Sequence, residues 1–139
     1  MKITIYVSLL VLNFIIITNR SLAYNTPAQC AQYVPLVEQY DWNTQIAVSI
    51  MFGESTCDET AHNASSTTHD DSYSLFQINL YGKLAESRPS AEWLAIPANN
   101  IAYAYKLYST PIDPASTTDT RILGFTPWIN QLTLALKGL

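Results

Sequence analysis

Basic residues are scarce. The 139-residue chain has seven Lys and Arg against eleven Asp and Glu, and two of the seven, Lys2 and Arg20, lie within the first 23 residues. The remainder of the chain, beyond Ala23, holds five basic and eleven acidic residues, a net charge of −6. Such a chain is a poor match for nucleic acid, and no nucleic-acid partner is expected. The same charge disfavours electrostatic capture on an anionic surface. Cysteine is scarce too, with only Cys30 and Cys57. No third or fourth ligand stands at zinc spacing, so neither a metal nor a cofactor is expected. Internal repeats are absent. The one long apolar run, Ile3 to Thr18, is shorter than the ~20 residues a spanning helix needs.

That run has a function of its own. Met1-Lys2 is a short basic start, the apolar stretch comes next, and small residues at Ser21 and Ala23 close it. This is the pattern of a secretory signal peptide over residues 1–23, cleaved after Ala23, with an uncleaved anchor as the alternative. The mature chain, Tyr24 to Leu139, then has 116 residues, enough for one domain with one modest core. The expectation is a protein that is secreted (extracellular or periplasmic), off the membrane after cleavage, and monomeric. Secretion favours a disulfide, and two cysteines allow only the pair Cys30–Cys57. Closing that loop stabilises by ~3 kcal/mol in the chain-entropy view. Two buried free thiols are the alternative.

Along the mature chain, Thr26-Pro27-Ala28-Gln29 reads as a capped helix start, with Val34, Val37 and Tyr40 as its apolar stripe. Asp41-Trp42-Asn43 breaks it and offers new caps. A second helix is predicted from about Asn43 to Glu54, where Ile46, Ile50 and Glu54 fall four apart beside Ala47 and Met51. Glu54 therefore continues the buried stripe of its own helix. Thr60 to Asp71 is polar and reads as a loop. Ser72 to Tyr81 reads as extended, with Phe76, Ile78 and Leu80 on one side and Gln77, Asn79 and Tyr81 on the other. Ser90 caps a short helix through Trp93. Pro97 to Ser109 reads as a helix with Ile101, Ala104, Tyr105 and Tyr108 inward, and Thr110 to Thr120 as a Pro/Thr/Asp loop. Thr126 caps a last helix, with Pro127 at its first position.

The order of these landmarks carries a resemblance: Glu54-Ser55 at a helix end, then Ser74-Leu75-Phe76-Gln77-Ile78-Asn79, then Asn99-Asn100-Ile101 with Ala104 to Tyr108, then Gly124-Phe125-Thr126-Pro127-Trp128. This resembles the lysozyme-like superfamily, specifically the soluble lytic transglycosylase and goose-type lysozyme group, over nearly all of the mature chain. The resemblance implies a mostly helical α+β fold with a substrate cleft and a small extended segment. It implies peptidoglycan glycan strands as partner and cleavage of the β-1,4 bond between N-acetylmuramic acid and N-acetylglucosamine. Glu54 matches the family's catalytic glutamate. Gln77 and Asn79 match the polar end of its cleft motif, and Asn100 the start of the helix behind the cleft. Where the family usually has glycine, this chain has Ser74.

A carboxylate at the end of an apolar stripe is partly desolvated, which raises its pKa and suits it to act as a general acid. The bland alternative for Glu54 is a structural acid or a helix-end ion pair. Glycoside cleavage also needs something to meet the oxocarbenium-like carbon. In lytic transglycosylases, the resemblance implies, the substrate's own acetamido group and 6-hydroxyl do so. In hydrolases water does, often helped by a second carboxylate, for which Asp71 is the candidate ahead of Asp70. Ser55, Gln77, Asn79, Asn100 and Tyr103 are the candidate substrate contacts, each with a structural role as its alternative. Trp128 is expected to pack in the core. A metal site from His62, His69, Asp70 and Asp71 is a minor alternative, and Asn63-Ala64-Ser65 is a glycosylation sequon. A non-catalytic saccharide- or partner-binding protein on the same fold is the second functional expectation.

Overall fold

The computed structural model describes residues 26–110 and 124–137. The predicted leader, 1–23, and most of the predicted Pro/Thr/Asp loop lie outside them. Within them the chain is α+β, with two longer helices, several short ones and a three-stranded antiparallel sheet. None of the described helices is long and apolar enough to cross a membrane.

The predicted first helix is broken in two. A 3-10 helix spans Ala28–Tyr33, and α1 (Val34–Val37) comes directly after it with Pro35 in its first turn. Pro35 has no N–H to extend a ladder from the preceding turn, so the helix must restart there. The expected Thr26 cap is absent: Pro27 holds the cap position and no side chain bonds the exposed N–H groups. Cys30, Tyr33 and Val37 still turn inward.

Helix α2 (Thr44–Ser55) forms as predicted, with Asn43 Oδ1 accepting from the Ile46 N–H at 3.0 Å. Ile46, Ala47, Val48, Ile50 and Met51 are all buried, so the helix is covered on nearly every side and not along one stripe. It stops at Thr56, whose backbone is left-handed (φ 53°), and Cys57 is left-handed as well (φ 61°). Cys57 is bonded to Cys30, with the two Cα atoms 5.2 Å apart, which confirms the predicted pairing.

The polar stretch expected to be a loop is a hairpin. Strand β1 (His62–Ser65) pairs antiparallel with β2 (Asp70–Tyr73), in register His62 opposite Tyr73 and Ser65 opposite Asp70. Strand β3 (Ile78–Asn79) adds to β2. Both faces of the hairpin are polar, so the alternation that marks a half-buried strand is missing from the sequence. The predicted extended segment is likewise interrupted. A turn over residues 74–77 separates β2 from β3, with Ser74 (φ 62°) and Gln77 (φ 45°) left-handed. The predicted sidedness survives: Phe76, Ile78 and Leu80 are buried, and Tyr81 is exposed.

Two short helices come next, α3 (Leu84–Ser87) and α4 (Ala91–Leu94), the second capped by Ser90, whose Oγ accepts from the Trp93 N–H at 3.3 Å. Helix α5 (Pro97–Ser109) has its predicted bounds and opens on Pro97. A 3-10 turn, Thr126–Trp128, preceded by Phe125, leads into α6 (Ile129–Lys137), which packs on α2. The core centres on Trp42, stacked on Phe76 and Phe125 and edge-on to Tyr108, with its Nε1 donating to the Val37 carbonyl at 2.8 Å. Trp128 is buried, as expected, and its Nε1 donates to the Phe76 carbonyl at 2.9 Å.

Candidate active site

Glu54 stands in the last turn of α2, half-buried, between the fully packed Met51 and the buried Ser55. Burial pushes its carboxyl from 4.5 up to about 7, and the negative charge of Asp70 pushes in the same direction. No cation among the described residues offsets either effect. The carboxyl is therefore largely protonated below neutral pH, the state a general acid needs.

Asp70 belongs to β2, and strand alternation decides which way it faces. On its side of the hairpin lie Asn63, whose Nδ2 donates to Asp70 Oδ2 at 2.5 Å, and Ser72, whose hydroxyl donates to Asp70 Oδ1. Both donors are neutral groups, an amide and a hydroxyl, and together they hold the carboxylate in place.

Asp71, the expected helper of Glu54, faces the side of the hairpin opposite to Asp70. Consecutive strand residues point to opposite faces, so only one of Asp70 and Asp71 can look toward α2. Asp71 Oδ1 lies 2.8 Å from His62 Nε2, and the Tyr73 hydroxyl donates to the same carboxylate, holding its pKa below the ordinary carboxylate value. The His62 ring stacks on Tyr73 with centroids 4.3 Å apart. Among the described residues no group of three His, Cys, Asp or Glu is placed to hold a metal ion.

The predicted substrate contacts are largely occupied by the protein itself. Ser55 Oγ lies 3.1 Å from the Met51 carbonyl oxygen and 2.9 Å from that of Leu75. Asn100 is fully buried: Oδ1 accepts from the Phe76 N–H at 2.9 Å, and Nδ2 donates to the carbonyls of Tyr73 at 3.1 Å and Leu94 at 3.2 Å. A side chain with no exposed surface cannot touch a ligand, so Asn100 is a peg inside the turn and not a cleft contact. Tyr103 is buried as well, with the Lys106 ammonium 5.3 Å from its ring centroid. Gln77 Nε2 donates to the Ala61 and Ser74 carbonyls. Asn79 Oδ1 accepts from the Asp71 and Tyr81 N–H groups, and its Nδ2 donates to the His69 carbonyl.

These bonds together make the 74–77 turn a rigid neighbour of the α2 terminus. The residues that sequence reading passed over are Asn63 and Ser72, the holders of Asp70. Only the strand register, which no local pattern displays, could have pointed to them. Ser74 completes the turn, and its buried hydroxyl has no hydrogen-bond partner.

No protein-family model, no curated protein and no solved structure matches this chain.

Proposed function

We propose that the chain is a secreted glycosidase that cleaves β-1,4-linked amino-sugar strands of the peptidoglycan type, with Glu54 as general acid and Asp70 as the second carboxylate. The observation that carries this reading is the half-buried Glu54 carboxyl, raised to about 7 with Asp70 acting on it. Two carboxyl groups in unlike surroundings divide the labour of glycoside cleavage. The desolvated one keeps its proton and delivers it to the leaving oxygen. The other, held in place by Asn63 and Ser72, stabilises positive charge at the anomeric carbon or orients a water. The order of landmarks shared with lytic transglycosylases and goose-type lysozymes supports the same substrate and a cleft beside Glu54.

Mass spectrometry of purified peptidoglycan after incubation with the mature protein and with Glu54→Gln tests the proposal. Products from wild type alone are expected, with anhydro ends marking transglycosylation and reducing ends marking hydrolysis. No product from folded wild type at any pH overturns it. That result leaves a non-catalytic saccharide- or partner-binding protein on the same frame.

A further inference from the structure

Beyond the predicted leader, the chain has a single sequence of the form Asn-X-Ser/Thr, with X not proline: Asn63-Ala64-Ser65. It fills β1 from its second residue to its last, and β1 is the outer strand of the sheet, with β2 on one side only. Asn63 and Ser65 lie two apart and so share a face of the strand. From His62 to His69 every residue except the half-buried Ser65 is exposed, so this end of the hairpin leaves room for a large polar group. The Asn63 carboxamide nitrogen carries two hydrogens. One goes to Asp70 Oδ2 at 2.5 Å, and no described residue accepts the other. A sugar in place of that second hydrogen is compatible with the bond to Asp70.

A second observation bears on the compartment. Cys57, six residues before Asn63, is bonded to Cys30, and disulfides persist in oxidising compartments. The lumen of a eukaryotic secretory pathway is one of these, and exposed sequences of this form are modified there.

Resting on the secreted reading above, and not on the glycosidase one, we propose that Asn63 is a modification site that carries an N-linked oligosaccharide. The donor is a lipid-linked oligosaccharyl pyrophosphate. The bond from C1 of the first sugar to the pyrophosphate oxygen breaks, and the lipid pyrophosphate leaves with its electron pair. A C1–Nδ2 bond forms, and Nδ2 gives up one proton. The glycan then stands on the outer strand of the hairpin, on the face where the register sets Ser72 opposite Asn63 and Asp70 opposite Ser65.

The test is secretion of the full chain, leader included, from cultured mammalian cells. The intact mass of the secreted protein is measured before and after peptide N-glycosidase. Wild type is expected to exceed its sequence mass by one oligosaccharide in most molecules, and to lose that excess on digestion with an aspartate left at position 63. Ser65→Ala breaks the sequence but keeps Asn63 and its bond to Asp70, and is expected to carry no glycan. Ser65→Thr keeps a hydroxyl that can accept from the Thr68 N–H, as Ser65 does at 3.3 Å, and is expected to keep the glycan. Secreted wild type without a glycan on Asn63, a chain that stays unmodified inside the cell, or an equal glycan on Ser65→Ala each overturn the proposal. The glycan is read by mass and the glycosidase by its products from peptidoglycan, so either can fail alone. Cleavage by a chain that bears no glycan sinks this inference and leaves the enzyme, and a glycan without cleavage does the reverse.

Discussion

The Ser55 hydroxyl sits 2.9 Å from the Leu75 carbonyl oxygen and so joins the residue after Glu54 to the turn between β2 and β3. Ser55→Ala leaves that carbonyl buried without its partner. The expected cost is about 1–2 kcal/mol, read as a lower denaturant midpoint with an unchanged slope.

Asn100→Ala is expected to be far more damaging, about 3 kcal/mol or more, because three backbone groups lose their partner at a site with no exposure. Asn100→Asp does not rescue it, since the two donated bonds are lost and a charge is buried. Thermal melts of both variants decide this. A loss of under about 0.5 kcal/mol in Asn100→Ala, the size of an ordinary surface change, would show that the peg is unimportant.

Ser74 has a left-handed backbone and an unpartnered buried hydroxyl, two costs that glycine removes. Ser74→Gly is expected to stabilise by about 1 kcal/mol, after allowing for the extra freedom glycine gains in the unfolded chain. Ser74→Ala removes only the hydroxyl and keeps the strained backbone, so it is expected to fall between wild type and glycine. Denaturant midpoints of the pair separate the two contributions.

Glu54 destabilises the fold when charged. Its carboxyl binds a proton more tightly in the folded chain (about 7) than in the unfolded one (4.5), so stability falls as pH rises through that window. Glu54→Gln is expected to match wild type near pH 4 and to exceed it near pH 8. The gain is about 2 kcal/mol once the carboxyl's partial exposure is discounted. Unfolding curves at both pH values, with no gain at the higher one, would contradict the burial of this group.

Activity on glycan strands is expected to decline above about pH 7, where Glu54 loses its proton. Asp70→Asn removes a charge that raises Glu54, so the alkaline limb moves to lower pH. Asp71→Asn leaves the limb in place, because its carboxylate is paired with His62 on the other face. Equal shifts in the two variants would show that strand alternation does not govern the site.

Much of the fold was legible because it rests on local rules. Asn43 and Ser90 announce their helices by capping, and Pro97 by its fixed φ at a first position. The alternation of Phe76, Ile78 and Leu80 revealed an inward side even though a turn interrupts the strand. The hairpin was hidden, because strands reading His-Asn-Ala-Ser and Asp-Asp-Ser-Tyr are stabilised by cross-strand pairs such as Asn63–Asp70 and His62–Asp71. Such pairs exist only once a register is chosen. The choice between Asp70 and Asp71 was hidden for the same reason. Asn100 and Ser55 are candidate substrate contacts in the sequence, with a structural role as the alternative, and only the folded chain shows them satisfying backbone groups of a turn that residues 73–77 cannot satisfy alone.

The bond from the Trp128 indole to the Phe76 carbonyl also has a meaning in time. A chain is made from its first residue onward, so the turn beside Glu54 waits for a partner encoded 52 positions later. Until Trp128 has been added, the Phe76 carbonyl has no indole to accept from. A chain stopped short of that residue carries an unfinished turn next to Glu54. The turn beside Glu54 is thus completed only once Trp128 has been made.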